Sequence, residues 1–264
     1  MLQALLYFLI AIGATTVGSM TGTGGGVIIK PLLDVIHGFD VETISLLSSI
    51  TVFSMSVVSV GKHLVYKTEI PHGTAVSVAM GAVAGGFLGQ KILTAVVAAL
   101  GLSALVTVVQ NVILFLLILW VYLYMKKKEQ IQSLHLGSVG MSFLVGIFLG
   151  ICSAFLGIGG GPINVALIIF LFSFDTKTAT VCSLVIILFA QLAKLGTVVV
   201  TGGLGRYDLS MAPVMVLGAV GGGALGSFLN KKLSEGGVEH AFQAVQLIVL
   251  SITAFNIVKN LGFL

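Results

Sequence analysis

Charged residues are scarce in this sequence. Lysine and arginine together number 13, and aspartate and glutamate 9, among 264 residues, which is 8% of the chain. Soluble domains contain about 25% charged residues, so this composition excludes a soluble globular protein. The stretches 43–61, 92–125, 136–174 and 241–258 contain no charge at all. Since about 18 to 20 apolar residues cross a bilayer as a helix, the sequence predicts an all-α polytopic membrane protein.

Cysteine is also rare, and clusters of metal-ligating side chains are missing from the sequence. The two cysteines, Cys152 and Cys182, both lie in apolar segments and are too few for a disulfide framework or a metal site. No catalytic spacing of histidine, carboxylate and cysteine occurs in those segments, so we expect neither an enzyme nor a bound cofactor. The net charge of +4 comes from residues at segment ends, which argues against a nucleic-acid partner.

Glycine, by contrast, is abundant and repeats in order. The stretch Gly22–Gly26, GTGGG, recurs as Gly157–Gly161, GIGGG, at an offset of 135 residues. The same offset pairs Asp40 with Asp175, Thr43 with Thr178, Ser48 with Ser183 and Gly61 with Gly196. A second motif, 81–89, recurs as 218–226. Two motifs in the same order predict a duplication: a first transmembrane repeat over 1–125, a basic linker over 126–133 and a second repeat over 134–264.

Each repeat begins with a segment too long to cross a membrane unbroken. Residues 2–37 would form a helix of about 54 Å, whereas the hydrocarbon core is about 30 Å thick. The glycines at 22–26 are the expected break, and those at 157–161 break 136–173 in the same way, with Pro162 in the first turn that follows. The other spans are expected at 42–62, 72–91, 96–125, 177–201, 209–230 and 239–260. Each half is therefore a four-segment repeat with a broken or re-entrant first helix.

The path of the broken segment decides the topology. If it leaves on the face where it entered, the two halves are inverted; if it crosses, they are parallel. Inversion puts a set of basic residues on one side, as the positive-inside rule favours: Lys62, Lys67, Lys126, Lys127, Lys128, Lys177, Lys231 and Lys232. We therefore expect inverted repeats.

The glycine breaks are candidate binding positions. Non-helical backbone in a membrane occurs where protein buries it or where it lines a cavity. The helix N-termini that follow would offer N–H groups to an anion, as in transporters built from internal repeats. The predicted substrate-binding residues at the breaks are Gly22, Thr23, Gly24, Gly25, Gly26, Gly157, Gly159, Gly160, Gly161 and Pro162. The alternative is that these glycines only allow close helix packing.

Polar side chains near the breaks complete the predicted site. Lys194 lies within a span and has no acid nearby in sequence, so it is either the counter-charge of an anion or a side chain that reaches the membrane surface. Lys30 and Asp34 are four residues apart, so either they pair with each other on one helix face or Lys30 is a second, weaker candidate for the counter-charge. Asn164, Ser48, Ser183 and Gln191 are further candidates, although each alone is typical of a helix-to-helix hydrogen bond.

The second glycine motif is interpreted differently. Gly81, Gly85 and Gly89, like Gly218, Gly222 and Gly226, recur every fourth residue and form a stripe on one helix face. Such stripes are typical of close helix packing. We expect these contacts within the protomer or across a homodimer.

The twin motifs GTGGGVIIKPLL at 22–33 and GIGGGPINVALI at 157–168 resemble those of the TauE/SafE sulfite exporter family, and the similarity covers nearly the whole chain. The resemblance implies a multi-pass permease of a prokaryotic plasma membrane that moves small anions such as sulfite, sulfonates or related carboxylates. The motif glycines carry over, together with Pro31 and Pro162. Because Pro31 lies later in its motif than Pro162, the two helix starts are expected to differ in geometry.

The leading hypothesis is a secondary transporter of small anions that works by alternating access around the two breaks. The sequence does not distinguish a proton from sodium as the coupling ion. An anion channel and a non-transporting membrane scaffold are the alternatives.

Overall fold

The structure is a computed structural model that describes residues 2–36, 38–66, 68, 72–100, 103–201 and 203–262. Its α-helices are α1 Leu2–Thr21, α2 Gly26–Ile36, α3 Val41–Val65, α4 His72–Leu100, α5 Ser103–Lys127, α6 Val139–Leu156, α7 Gly161–Phe172, α8 Thr176–Val200, α9 Ala212–Lys232 and α10 Glu235–Leu261. Within these ranges, eight helices are long and apolar enough to cross a membrane, and α2 and α7 are shorter. The prediction of an all-α polytopic membrane protein is confirmed.

Some predicted helix boundaries are wrong by several residues. The span expected to end at 91 continues to Leu100 as α4, since Lys91 is exposed on the helix and nothing in 92–100 breaks it. The next helix, α5, therefore begins at Ser103 rather than at 96. The last helix begins four residues early, at Glu235, because the Ser234 hydroxyl caps it by accepting a hydrogen bond from the Gly237 N–H. Lys67, one of the basic residues predicted to lie on one side of the membrane, is outside the described residues.

The first helix breaks at its glycines because the backbone there adopts angles that other residues avoid. Gly22, Gly24 and Gly25 have φ of 76°, 80° and 70°, in the left-handed region. The chain reverses at this point, and α2 runs back beside α1. Gly25 packs against the backbone of Ala14, and the ring of Phe39, just past α2, lies 6.0 Å from that of Tyr7 near the start of α1.

The second half contains a matching reversal. Gly157, Gly159 and Gly160 have φ of 66°, 80° and 71°, so α6 ends and α7 turns back along it. The chain before α6 then pairs with the end of α7, because the Leu134 N–H donates to the Phe170 carbonyl at 2.9 Å. We call residues 22–25 the first joint and residues 157–160 the second joint.

Contacts between helix ends define two ends of the bundle. At one of them, the Lys231 ammonium lies 4.3 Å from the centre of the Tyr66 ring, which joins the ends of α9 and α3. At the same end, Lys128, just after α5, contacts Thr176 and Glu239 at the starts of α8 and α10. We call this the basic end. At the opposite end, the Lys259 ammonium donates to the Val35 carbonyl, which joins α10 to α2.

The two halves of the chain intertwine, and the glycine stripes form the closest contacts. Helix α4 packs along α6, and α9 packs along α1. Gly81 and Gly85 lie against the backbone of α6, and Gly222 and Gly226 against that of α1. The close-packing prediction is confirmed, and these contacts lie within the protomer.

We expect Gly85→Ala to destabilise the protein, because a Cβ there would collide with the Ile147 carbonyl and stand 3.0 Å from the Gly150 Cα. Backbone cannot rotate aside as a side chain does, so α4 and α6 must separate, at a cost of about 1–3 kcal/mol. Thermal unfolding in detergent measures the effect as a lower apparent Tm. Gly73→Ala is the control in the same helix, because it meets no atom within 4 Å. Equal Tm values for the two variants would contradict the packing argument.

Candidate functional site

The two joints meet each other inside the bundle. A Cβ at Gly26 would collide with the Ile158 carbonyl, and a Cβ at Gly161 would collide with the backbone of Thr23. Only glycine allows the two backbones to come this close. Gly26 is the first residue of α2, and Gly161 is the first residue of α7. Two motifs 135 residues apart in sequence are therefore in backbone contact.

One face of α8 runs along both joints. Ser183 donates to the Gly22 carbonyl at 2.7 Å, and Ile187 packs against Gly24 and Gly159. One turn further, the Gln191 amide nitrogen donates to the Ser153 hydroxyl at 3.0 Å. Because these positions are three or four residues apart, their side chains share a face with Lys194, one more turn along.

Lys194 is buried beside the second joint. Its side chain is 1% exposed, and its ammonium donates to the Ser45 hydroxyl at 2.7 Å and more weakly to the Ser45 carbonyl at 3.4 Å. Ser45 in turn lies against Gly157. No carboxylate of the described residues lies within 4 Å of this ammonium. The interpretation of Lys194 as a side chain that reaches the membrane surface is wrong.

Several predicted polar residues at this joint have atoms without hydrogen-bond partners. Asn164 is 0% exposed, and neither its oxygen nor its nitrogen finds a partner among the described residues. Its oxygen lies 3.1 Å from the Cβ position of Gly160. The Gln191 amide oxygen and the Ser48 hydroxyl, both in fully buried side chains, also have no hydrogen-bond partner among the described residues. An atom of this kind costs about 1–3 kcal/mol while it stays unpaired, so these atoms are available to hydrogen-bond a ligand.

The first joint differs, since its polar groups are paired. The Thr23 hydroxyl lies 3.0 Å from the Thr21 hydroxyl, and Ser183 is occupied by the Gly22 carbonyl. The residue that matches Lys194 in the repeat register is Ser59, which lies 2.7 Å from Ser19 in a hydroxyl network. Ser183 and the first joint are therefore satisfied within the protein, whereas the second joint has unpaired groups.

The backbone angles of the two joints are alike. Their φ values agree within 10° at each matched glycine. Pro162 lies in the first turn of α7 as predicted, whereas Pro31 lies inside α2. The backbone of the joints themselves is thus alike, and the expected difference between the two helix starts stays a prediction.

Three residues of this region were missed by sequence reasoning. Ser45 contacts Lys194, and its spacing of three residues from Ser48 on one helix is the signal that would have indicated it. Ser153 contacts Gln191, but nothing in its sequence context marks it. Val52 packs between the joints, where an apolar residue gives no signal.

The buried charges do not balance. Among the described residues, the buried ammonium groups belong to Lys30 and Lys194, and the buried carboxylate belongs to Asp34. Lys30 and Asp34 pair at 3.0 Å, as the first alternative predicts. With both lysines protonated, two positive charges and one negative leave +1, which an anion would neutralise.

Comparison with known proteins gives one result. A family model described as "Sulfite exporter TauE/SafE" matches residues 7–257, which confirms the resemblance based on the glycine motifs. Comparison with curated proteins and with solved structures gave no match. With the eight span-length helices, the match indicates a multi-pass membrane transporter.

Proposed function

This chain belongs to the sulfite exporter TauE/SafE family, and from that premise we propose that it is a secondary transporter of small anions such as sulfite, sulfonates or related carboxylates. The substrate binds at the second joint and crosses by alternating access of the two halves, in the plasma membrane of a prokaryotic cell. The observation that carries the proposal is the buried ammonium of Lys194, which lies beside this joint without a carboxylate among the described residues.

The donors at the second joint suit an oxyanion. Lys194 uses two N–H donors on Ser45 and has a third, while Asn164 and Ser48 supply an amide and a hydroxyl without partners in the described chain. Sulfite, sulfonate and carboxylate oxygens accept hydrogen bonds and form their strongest ones with charged donors. These groups therefore match the charge and the hydrogen-bonding pattern of the proposed substrates.

The contacts at the helix ends support inverted halves. The α1–α2 hairpin begins and ends at the opposite end of the bundle, and the α6–α7 hairpin begins and ends on the side of the basic end. By the positive-inside rule, the basic end faces the cytoplasm. Two hairpins that enter from opposite faces and meet at their joints supply the arrangement that alternating access requires.

The channel alternative has less support. A pore along the joints requires open space between them, whereas Gly26 and Gly161 are in contact with the backbone of the other joint. Saturable exchange of anion across the membrane distinguishes a transporter from a channel.

The test is a thermal-shift screen of the purified protein against sulfite, thiosulfate, sulfoacetate, taurine and small carboxylates. A ligand at 100 times its Kd stabilises the folded state by about 2.7 kcal/mol. We expect one or more anions to raise the apparent Tm of the wild type. Asn164→Leu should raise the Tm without anion, because it removes two unpaired buried polar atoms, and should abolish the anion response.

Asn230→Leu is the matched control. Asn230 is also buried, but its amide is paired, because it donates to the Met20 carbonyl of α1 at 2.7 Å. Its replacement should lower the Tm and leave the anion response intact. An anion response that survives in Asn164→Leu would contradict the assigned site, and a wild type that responds to none of these anions would contradict the proposed substrates.

A further inference from the structure

A groove opens at the basic end of the bundle, between the last two turns of α5 and the end of α7. Its floor is the largely buried ring of Tyr124. The Trp120 ring stacks on Tyr124 with ring centres 5.9 Å apart, and the Phe170 ring meets Tyr124 edge-on at 5.6 Å. The segment after α5 forms a further wall, because Ile131 lines the groove and the Leu134 N–H donates to the Phe170 carbonyl.

The groove has an apolar part and a polar part, which share Tyr124 and Ile131 as walls. The apolar part has a volume of about 310 Å³ and is lined by Trp120, Leu123, Tyr124, Lys127, Ile131 and Phe170. The polar part has a volume of about 230 Å³ and adds the polar side chains of Lys128, Glu129, Ser133 and Ser173. A molecule that fills both parts therefore needs an apolar chain and a polar head.

The apolar part faces the hydrocarbon of the membrane. Positions 116, 120, 123 and 127 are three or four residues apart, so they form one stripe along α5. Leu116, Trp120 and Leu123 are all exposed on the protein, and α5 is long and apolar enough to span a bilayer. Lys127, at the end of the stripe, lies at the level of the lipid headgroups. A ligand therefore enters the groove from the lipid phase.

The charge of the groove favours an anionic headgroup. Lys127 is exposed, and no carboxylate in the part of the chain that the structure describes lies within 4 Å of its ammonium. Lys128 also lines the groove, but its charge is paired with Glu239 of α10. Glu129 is the acidic residue of the groove, and the exposed Lys126 lies three residues before it. The ammonium of Lys127 is thus left to a phosphate at the end of the apolar part.

We propose that this groove binds an anionic phospholipid of the phosphatidylglycerol type. One acyl chain lies in the apolar part against Trp120 and Leu123, and the phosphate accepts hydrogen bonds from the Lys127 ammonium. The glycerol hydroxyls of the headgroup reach Glu129 and Ser133 in the polar part. Basic pockets between membrane-spanning helices bind acidic headgroups by the same combination of charge and apolar contact. The lipid joins α5 to the end of α7, the helix that begins at the second joint.

The test uses Trp120, which is the single tryptophan of the chain and reports on this groove directly. The purified full chain is placed in phosphatidylcholine bilayers that contain a small fraction of phosphatidylglycerol with brominated acyl chains, since bromine quenches tryptophan fluorescence at close range. In a second series, the bromine is carried by an equal fraction of phosphatidylcholine. We expect phosphatidylglycerol to occupy the groove about fivefold more tightly, the preference that one lysine near the membrane surface contributes.

Two lysine variants separate the groove from the general charge of the basic end. Lys127→Gln should lower the preference for phosphatidylglycerol to less than about twofold, because it removes the ammonium that binds the phosphate. Quenching in fully brominated phosphatidylcholine should stay as in the wild type, which shows that Trp120 still faces lipid. Lys232→Gln is the control, because it removes the same charge at the basic end from α9, which packs on α1 and α3. It should keep the fivefold preference.

Three results would overturn the proposal. The first is equal quenching by the two brominated lipids in the wild type. The second is an equal loss of preference in Lys127→Gln and Lys232→Gln, which would mean a general attraction to the basic end. The third is displacement of brominated phosphatidylglycerol by glycerol 3-phosphate in the buffer, which would mean a site for a soluble phosphate. None of these measurements involves anion transport, so this proposal and the proposed function fail separately.

Discussion

Replacing Gly161 by alanine is expected to reduce anion exchange about ten- to a hundredfold. A Cβ at Gly161 would collide with the backbone of Thr23, which has no rotamer through which to move away. The first and second joints must therefore separate at the place where α7 begins. Overpacking of this kind costs about 1–3 kcal/mol. Every 1.4 kcal/mol by which the transport-competent state is destabilised lowers its population about tenfold.

The same contact gives a second variant and a control. Gly26→Ala should act like Gly161→Ala, because its Cβ would collide with the Ile158 carbonyl across the same interface. Gly196→Ala, on the neighbouring α8, meets no atom within 4 Å and should exchange anion as the wild type does. Exchange in proteoliposomes, corrected for the amount of inserted protein, is the measurement. Normal exchange in both joint variants would show that contact between the joints is not needed for transport.

The breaks could be predicted from sequence because two independent limits apply to them. A continuous helix over 2–37 is longer than the hydrocarbon core is thick, and consecutive glycines are the residues that most readily leave the helix. The duplication of the motif then indicated a second break at 157–161. That the two joints touch was not predictable, because sequence spacing does not report which segments meet.

The asymmetry of the site was hidden for a different reason. The repeat predicts similar backbone at matched positions, and the φ values of the joints agree with this. Side chains at matched positions are free to differ, as Lys194 and Ser59 do. Whether a polar atom has a partner depends on neighbours from several helices. The unpaired atoms of Asn164 and Gln191 therefore become visible only in the structure.

Lys194 also shows why the depth of a side chain in the membrane is difficult to predict from sequence. A lysine six residues before the end of a span can extend to the membrane surface or turn inward, and both positions satisfy the same hydropathy pattern. The structure resolves the choice because Ser45, on another helix, lies within 2.7 Å of the ammonium. Ser45 is 149 residues away in sequence, so no local pattern indicates the contact.

We expect Lys194→Met to have opposite effects on stability and on binding. Methionine has nearly the same length, so it fills the site while it removes a buried ammonium that lacks a carboxylate in the described chain. An ion buried without a partner costs several kcal/mol, so the apparent Tm without anion should rise by several degrees. A charge-assisted hydrogen bond contributes about 1.5–3 kcal/mol, so anion affinity should fall about ten- to a hundredfold.

Two readouts and one control test this prediction. Thermal shift gives the Tm with and without anion, and exchange in proteoliposomes gives the transport rate at low anion concentration. Lys91→Met removes the same charge from an exposed position of α4 and should leave the anion response unchanged. If Lys194→Met lowers the Tm and keeps the anion response, then Lys194 only ties α8 to Ser45. A higher Tm with no anion response is the result that a binding role requires, because only a group maintained for a ligand is both destabilising without it and necessary for its recognition.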